Sequence, residues 1–155
     1  MSKLSGRIIA ETPAGLLEIV SEGNFLTAIR KCEFPPADMD FFGSPVTRET
    51  EKQLREYFSG QRTVFDLPIA PKGTDFRRSV WNALMEIPFG ETRSYSDIAA
   101  AVGKPSAQRA AGNAVGDNPI LIVIPCHRVI RSDGGMGGFS AGINMKKFLL
   151  KLEGN

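Results

Sequence analysis

Hydrophobic and polar residues alternate over the first thirty positions of the chain, a period typical of half-buried β-strands. Turn residues interrupt the alternation twice, at Thr12-Pro13-Ala14-Gly15 and at Ser21-Glu22-Gly23. The pattern therefore predicts a small antiparallel sheet. Its three strands are predicted at residues 7–10, 16–20 and 24–30.

A helical period replaces the alternation after a predicted loop at residues 32–45. One amphipathic helix is predicted over residues 45–58, with Ser44 as its N-cap and Gly60 as its stop. Residues 64–69 are predicted to return as a strand, and Pro71-Lys72-Gly73 is predicted to end the first domain.

Beyond this boundary the apolar residues recur at helical spacing. The first helix begins at Thr74 or Asp75 and ends before Pro88, and the last ends at Gly154 with Lys146, Lys147 and Lys151 placed off its apolar stripe. Between them, Ser94 caps a short helix over 98–102, and Gly103-Lys104-Pro105 leads into a helix over 106–115. The two middle helices have the layout of a helix-turn-helix.

These elements predict a mixed α/β (α+β) protein of two parts. The first, residues 1–70, is a small antiparallel-sheet domain with one helix, and the second, residues 71–155, is mostly helical and contains the helix-turn-helix.

The candidate chemistry follows a short apolar run, residues 120–124, which is expected to be buried. Pro125 ends the run, and Cys126 stands beside His127, the only histidine in the chain. A free cysteine is most often a small buried hydrophobe, and a single histidine can be a core side chain. The basic neighbour Arg128 and the glycine-rich segment 134–142 favour a reactive site instead.

Such a thiol must be activated by its surroundings, because only the thiolate is strongly nucleophilic. A thiol of ordinary pKa, about 8.5, is only a few per cent ionised at pH 7. A base or cation beside Cys126 is expected to raise that fraction. Adjacent side chains diverge on a strand, so a turn or a bridging water is expected between Cys126 and His127. Cys32 has no comparable neighbours and is interpreted as structural or incidental.

Composition narrows the class of protein. The sequence has 42% hydrophobic residues, no apolar run near the length of a membrane span and no apolar N-terminal signal, which predicts a cytoplasmic globular protein. Two distant cysteines and one histidine predict neither a zinc site nor a disulfide.

Residues 1–70 hold 8 Lys/Arg and 10 Asp/Glu, net −2, whereas residues 71–155 hold 11 and 7, net +4. The C-terminal half is therefore the part suited to face phosphate.

The helix predicted over 106–115 combines small and polar side chains. Four alanines and Gly112 give the helix a surface of small side chains. Gln108, Arg109 and Asn113 add longer polar side chains that can form hydrogen bonds. Such a helix can approach nucleic acid closely, and it can equally pack against another helix.

The segment Pro125-Cys126-His127-Arg128-Val129 resembles the active-site motif of the O6-alkylguanine-DNA alkyltransferases, the methylated-DNA–protein-cysteine methyltransferases. The resemblance runs from about Phe76 to Glu153. It implies a ribonuclease-H-like N-terminal domain, and a C-terminal domain that binds DNA and transfers methyl or larger alkyl groups from guanine O6 to Cys126 once per molecule, a suicide reaction.

The resemblance also implies roles for single residues. His127 is the base, Glu153 orients it in a Cys-His-Glu triad, Asn118 braces the network, and Tyr95 donates to guanine N3. The other substrate-binding positions are Ser140, Val129, Gly137, Met136 and Phe139, the last standing where many relatives have Tyr.

Arg109 matches the arginine that replaces a flipped nucleotide, on a helix that enters the minor groove. The further DNA-binding positions are Ala107, Gln108, Ser106, Gly112 and Arg128.

The implied partner is double-stranded DNA carrying O6-alkylguanine, with O4-alkylthymine left open, and the protein is expected to act as a monomer, with cooperative binding on DNA also left open. No cofactor and no metal are implied, because the alkyl donor is the DNA itself. Two other classes stay open: a protein that binds the lesion without reacting, and a cysteine hydrolase that uses the same three residues.

Overall fold

The computed structural model describes residues 5–35 and 42–155. The chain forms two compact units, Met1–Pro71 and Lys72–Asn155. In the described part of the chain, no helix is long and apolar enough to cross a membrane. Residues 36–41 of the predicted 32–45 loop lie outside the described residues.

The N-terminal unit is built on a three-stranded antiparallel sheet in the order β1-β2-β3, which confirms the predicted sheet. Each strand is eight residues long, namely β1 (Ser5–Thr12), β2 (Gly15–Glu22) and β3 (Phe25–Cys32). Ile19 of β2 pairs with Ile8 on one side and Ile29 on the other. Ile19 and Ile29 are completely buried, so the alternation in the sequence produces one apolar face.

Helix α1 (Pro45–Phe58) packs on this sheet. Its predicted cap is confirmed: the Ser44 hydroxyl accepts from the backbone N–H of Thr47, and the Thr47 hydroxyl accepts from that of Ser44. The strand predicted at 64–69 is wrong. Only Ile69 pairs, with Leu26 in a single parallel bridge. The backbone N–H and carbonyl of Asp66 bond to the side-chain amide of Gln53 instead of to a strand.

The C-terminal unit contains the four predicted helices. They are α2 (Asp75–Met85), α3 (Tyr95–Ala101), α4 (Gln108–Gly116) and α5 (Ile143–Leu152). Thr74 caps α2, and Ser94 forms a reciprocal cap with Asp97 at α3. Helices α3 and α4 pack together, which confirms the helix-turn-helix layout. Trp81 anchors α4 by donating its indole N–H to the Ala114 carbonyl at 2.8 Å.

The run 120–124 is buried as expected, but it is a turn rather than an extended segment. Ile122 has a φ of 72°, a conformation that β-branched residues rarely adopt. A 3₁₀ turn over Cys126–Arg128 follows, and β5 (Val129–Ile130) then pairs in parallel with β4 (Arg93–Ser94). This turn and the short pairing position the candidate nucleophile.

Candidate active site

Two predicted catalytic side chains, those of His127 and Glu153, form a pair at the 3₁₀ turn. The Nε2 atom of His127 lies 2.7 Å from Oε2 of Glu153, and both side chains are fully buried. Glu153 comes directly after the last residue of α5 and is 26 residues away in sequence. The tertiary structure therefore brings the predicted His-Glu pair together.

Burial decides the protonation of His127. Loss of solvation lowers the pKa of the imidazole, while Glu153 opposes the shift through its hydrogen bond and its charge. A neutral ring beside a carboxylate must donate its Nε2–H to it, which leaves Nδ1 with a free lone pair. This Nδ1 is buried, and no described residue hydrogen-bonds to it. His127 is thus held in the tautomer whose free nitrogen can accept a proton.

Cys126 is buried, with 2% of its surface exposed. Burial raises the pKa of its thiol to about 11, opposed by hydrogen bonding to the Asn118 side chain and by the positive charge of Lys146. The resting thiol is therefore protonated at pH 7. This corrects the expectation that neighbouring groups keep the sulfur largely ionised, because desolvation outweighs them.

Asn118 braces the turn that presents the cysteine. Its amide donates to the Ile124 carbonyl at 2.7 Å, and its side-chain oxygen accepts from the Ile120 backbone at 2.9 Å. These two bonds span the buried turn and satisfy backbone groups that would otherwise be unpaired. The predicted bracing position has the contacts that such a role needs.

A groove of about 1140 Å³ opens beside this network. Its walls come from α4 and from the glycine-rich loop, and Tyr95 lies between them. The predicted residues that line it are Tyr95, Gln108, Arg109, Gly112, Phe139 and Ser140. Cys126 itself is not among the lining residues, consistent with its burial.

Tyr95 touches the loop at Gly137. A Cβ atom built on Gly137 would lie 2.7 Å from the Tyr95 hydroxyl, and Gly137 has a φ of +69°. Both observations require glycine there. Burial and the nearby Cys126 sulfur raise the pKa of the Tyr95 phenol, so it keeps its proton at neutral pH.

With this geometry in place, the relatives of the chain can be compared. Residues 75–155 match the model of the 6-O-methylguanine DNA methyltransferase, DNA binding domain. A protein of Methanosarcina barkeri named methylated-DNA–protein-cysteine methyltransferase is 49% identical over 158 residues, covering 95% of this chain and 96% of the relative. The chain belongs to the methylated-DNA–protein-cysteine methyltransferase family.

Solved structures of the family agree over both units. The O6-methylguanine methyltransferase of Mycobacterium tuberculosis matches with a TM-score of 0.86 and 42% identity, over 97% of this chain and 93% of that one. The structure of M. tuberculosis OGT in complex with DNA matches with a TM-score of 0.84 and 43% identity, over 96% and 91%. The mixed α/β fold is therefore that of the methyltransferase family.

Arg128 differs from its predicted role as a DNA contact. It is 6% exposed, its guanidinium binds Glu153 through Nε at 2.7 Å, and Nη1 donates to the Ile87 carbonyl at 2.7 Å. These bonds hold Arg128 inside the methyltransferase domain, where it fixes the carboxylate that pairs with His127. A basic residue next to a reactive cysteine gave no sign of this, because its partners are distant in sequence.

Lys146 was missed, and its predicted position off the apolar stripe of α5 is wrong. It is completely buried, and its ammonium donates to the carbonyls of Val129, Met136 and Gly138. Burial lowers its pKa to about 8. Lys146 thus ties the methyltransferase pocket loop to β5. No sequence signal marked it, because the three carbonyls that it bonds lie in the loop and β5.

The remaining predicted positions surround the same site. Val129 is completely buried in β5, and the Met136 carbonyl is held by Lys146. Ala107 is the residue before α4, and Ser106 is exposed in the turn that precedes it. No group of three or more His, Cys, Asp or Glu side chains in residues 5–35 and 42–155 is placed to hold a metal ion.

Proposed function

We propose that this chain repairs double-stranded DNA by moving a methyl or larger alkyl group from O6 of guanine to the sulfur of Cys126. The bond from the alkyl carbon to O6 breaks as the bond to sulfur forms, in one in-line displacement. The product is a thioether, and the Cys126 sulfur is not readily displaced from its alkyl carbon. Each molecule therefore reacts once. The buried His127–Glu153 pair at 2.7 Å, with its free Nδ1, is the observation that carries the proposal.

The thiol proton goes to His127 in this proposal. Because the pKa of the Cys126 thiol is about 11, the proton must leave as the sulfur attacks, and Nδ1 is the available base, either directly or through a water molecule. Glu153 then faces a positively charged imidazole and stabilises it. Arg128 holds that carboxylate in position through two hydrogen bonds.

Tyr95 receives the leaving base in this proposal. Its protonated phenol donates a hydrogen bond to guanine N3, which offsets the negative charge that the ring gains as the alkyl group leaves. The guanine then takes up one proton from solvent, and the proton on His127 is released. Ser140 is proposed to contact O6 and Phe139 to form part of the pocket wall, since both line the groove. Val129, Met136 and Gly137 are the further pocket positions in this proposal.

The lesion reaches this pocket through the groove. Helix α4 is proposed to lie in the minor groove, where its small side chains at Ala107 and Gly112 permit close approach. Ser106 and Gln108 are proposed to contact the backbone, and the exposed Arg109 to fill the space left by the flipped nucleotide. Flipping costs a few kcal/mol, less for a base that pairs poorly, and these contacts offset it.

The DNA-binding and transfer functions are assigned to residues 71–155 in this proposal, and residues 1–70 to the separate N-terminal domain. One copy of the chain contains the whole set of proposed residues, which fits action as a monomer. A DNA substrate also implies a cytoplasmic site of action.

Mass spectrometry tests the proposal directly. The protein is incubated with a duplex oligonucleotide carrying O6-methylguanine and then digested. The peptide containing Cys126 is expected to gain the mass of one CH₂ group, in one equivalent per protein, while the methyl group leaves the DNA. A folded protein that binds the lesion but leaves the methyl group on the DNA would contradict the proposal and favour a lesion-binding protein.

Cys32 provides the matched control, since it is the other free thiol. Cys126→Ala is expected to abolish transfer and keep DNA binding, whereas Cys32→Ser is expected to retain full transfer. Loss of transfer in Cys32→Ser would show that the alkyl group is not delivered to Cys126 alone. Multiple turnovers on a simple ester would instead mark a cysteine hydrolase.

A further inference from the structure

Positively charged side chains outnumber negatively charged ones along the groove. Three arginines, Arg77, Arg109 and Arg131, line it together with one carboxylate, Asp117, and Arg131 is paired at 3.0 Å with Asp133, which is not among the lining residues. Arg77 lies on α2, Arg109 on α4 and Arg131 at the start of the glycine-rich loop. A groove that binds the phosphate backbone gains from each guanidinium and loses from the carboxylate.

Asp117 pairs with Arg77 inside this groove. Their closest atoms, Oδ2 and Nη2, are 2.8 Å apart, and about half of each side chain is exposed. Asp117 is also the C-cap of α4, where the backbone dipole disfavours a negative charge. The helix end therefore does not account for the carboxylate, and its visible partner is the groove arginine.

A second ion pair on α2 has similar geometry outside the groove. Arg78, the next residue along the helix, contacts Asp75 at 2.7 Å, and the Asp75 side chain is 98% exposed. Neither residue lines the groove. The Arg78–Asp75 pair lies within one helix and is the more exposed of the two, so it serves as a control for the charge change away from the groove.

We propose that the Arg77–Asp117 pair limits the affinity of this protein for undamaged DNA. In the free protein Asp117 holds Arg77, and a phosphate that enters the groove must replace Asp117 as its partner. An exposed ion pair is weak, so the exchange is accessible, but the displaced carboxylate stays in the groove and repels the backbone. The inference rests on the proposed function, because it takes the groove to be the DNA-binding surface.

The pair favours release from ordinary duplex. A repair protein must leave undamaged sites quickly in order to search, and most of the affinity for such sites comes from phosphate contacts. One carboxylate among three arginines lowers this sequence-independent affinity, while the pocket contacts with a flipped lesion are untouched. The time that the protein spends on undamaged duplex is therefore expected to depend on Asp117.

Fluorescence anisotropy with an undamaged duplex, at several salt concentrations, tests the inference. Asp117→Asn is expected to tighten binding about three- to tenfold at low salt, and the gain is expected to shrink as salt rises. Arg77→Gln is expected to weaken binding and to lower the slope of log K against log salt by about one. Asp75→Asn and Arg78→Gln carry the same charge changes outside the groove and are expected to stay close to wild type.

The outcomes separate this inference from the proposed function. If Asp117→Asn binds no more tightly than Asp75→Asn, or Arg77→Gln no more weakly than Arg78→Gln, the inference is overturned. If the wild-type protein neither binds duplex nor transfers a methyl group to Cys126, the proposed function fails first. Thermal unfolding of each variant checks folding, and Arg77→Gln still decides the matter if Asp117→Asn is unstable.

Discussion

Among the described residues, each unit has one buried carboxylate that is bonded to two basic side chains, and the two clusters have different roles. In the N-terminal sheet, Glu18 binds Arg7 from β1 and Arg30 from β3 at 3.0 Å. In the C-terminal unit, Glu153 binds His127 and Arg128, each at 2.7 Å. Both carboxylates are nearly inaccessible to solvent.

The difference lies in the partners. Two arginines stay charged at every accessible pH, so the Glu18 cluster can only join three strands. An imidazole can gain and lose a proton, so the Glu153 cluster can take part in chemistry beside Cys126. A buried acid is therefore informative about function only when one partner can change its charge and a nucleophile lies next to it.

The largest expected effect comes from removing the charge of Glu153. Glu153→Gln keeps the size of the side chain but cannot stabilise a positively charged His127, so the rate of alkyl transfer to Cys126 is expected to fall about 10²- to 10⁴-fold. Single-turnover kinetics with O6-benzylguanine as the free base measure this without DNA binding. A wild-type rate in a folded variant would remove Glu153 from the proposed mechanism.

Glu18→Gln is the matched change in the other cluster. It leaves Arg7 and Arg30 without a counter-ion, and the free energy of unfolding is expected to fall by about 1–3 kcal/mol, less than for a fully buried pair because both arginines are partly exposed. The transfer rate per folded molecule is expected to stay at the wild-type value. Denaturant titration and the same kinetic assay measure the two quantities. An equal loss of transfer rate in Glu18→Gln and Glu153→Gln would show that the two clusters do not differ in their role in catalysis.

The free energy of unfolding is expected to depend on pH through the buried Cys126 thiol. Burial raises the pKa of the Cys126 thiol from its ordinary range of about 8.5–9 to about 11, so between these values the unfolded chain loses this proton and the folded chain keeps it. This contribution to the free energy of unfolding is complete below about pH 8.5 and is lost as the pH rises to about 11, by about 3 kcal/mol. The difference between wild type and Cys126→Ala in denaturant titrations at pH 8 and pH 10.5 isolates it. A difference that does not change with pH would show that the thiol is not desolvated.

The smallest expected effect concerns the loop above Tyr95. Gly137→Ala places a methyl group against the tyrosine hydroxyl, and the transfer rate is expected to fall about tenfold through displacement of Tyr95. Gly134→Ala is the control, because Gly134 also has a positive φ, +87°, but faces open space. Both changes strain the backbone, and only the first is expected to slow transfer. Equal rates in the two variants would contradict the contact with Tyr95.

Local signals in the sequence were sufficient for much of this protein. Alternating residues with two turns predicted the sheet, and the caps at Ser44 and Ser94 predicted where two helices begin, because these effects act between residues a few positions apart. The motif around Cys126 and His127 identified the family, since its residues are contiguous.

Other features depended on partners far along the chain. The apolar run before Pro125 forms a turn because the Asn118 side chain hydrogen-bonds to its backbone. Lys146 can be buried because three carbonyls from the loop and β5 accept hydrogen bonds from its ammonium group. Arg128 turned inward to a carboxylate 25 residues away. Sequence alone thus predicted the sheet, the helices and the adjacent Cys126 and His127, whereas the tertiary structure decided which charges are buried, because burying a charge requires acceptors that only the fold assembles.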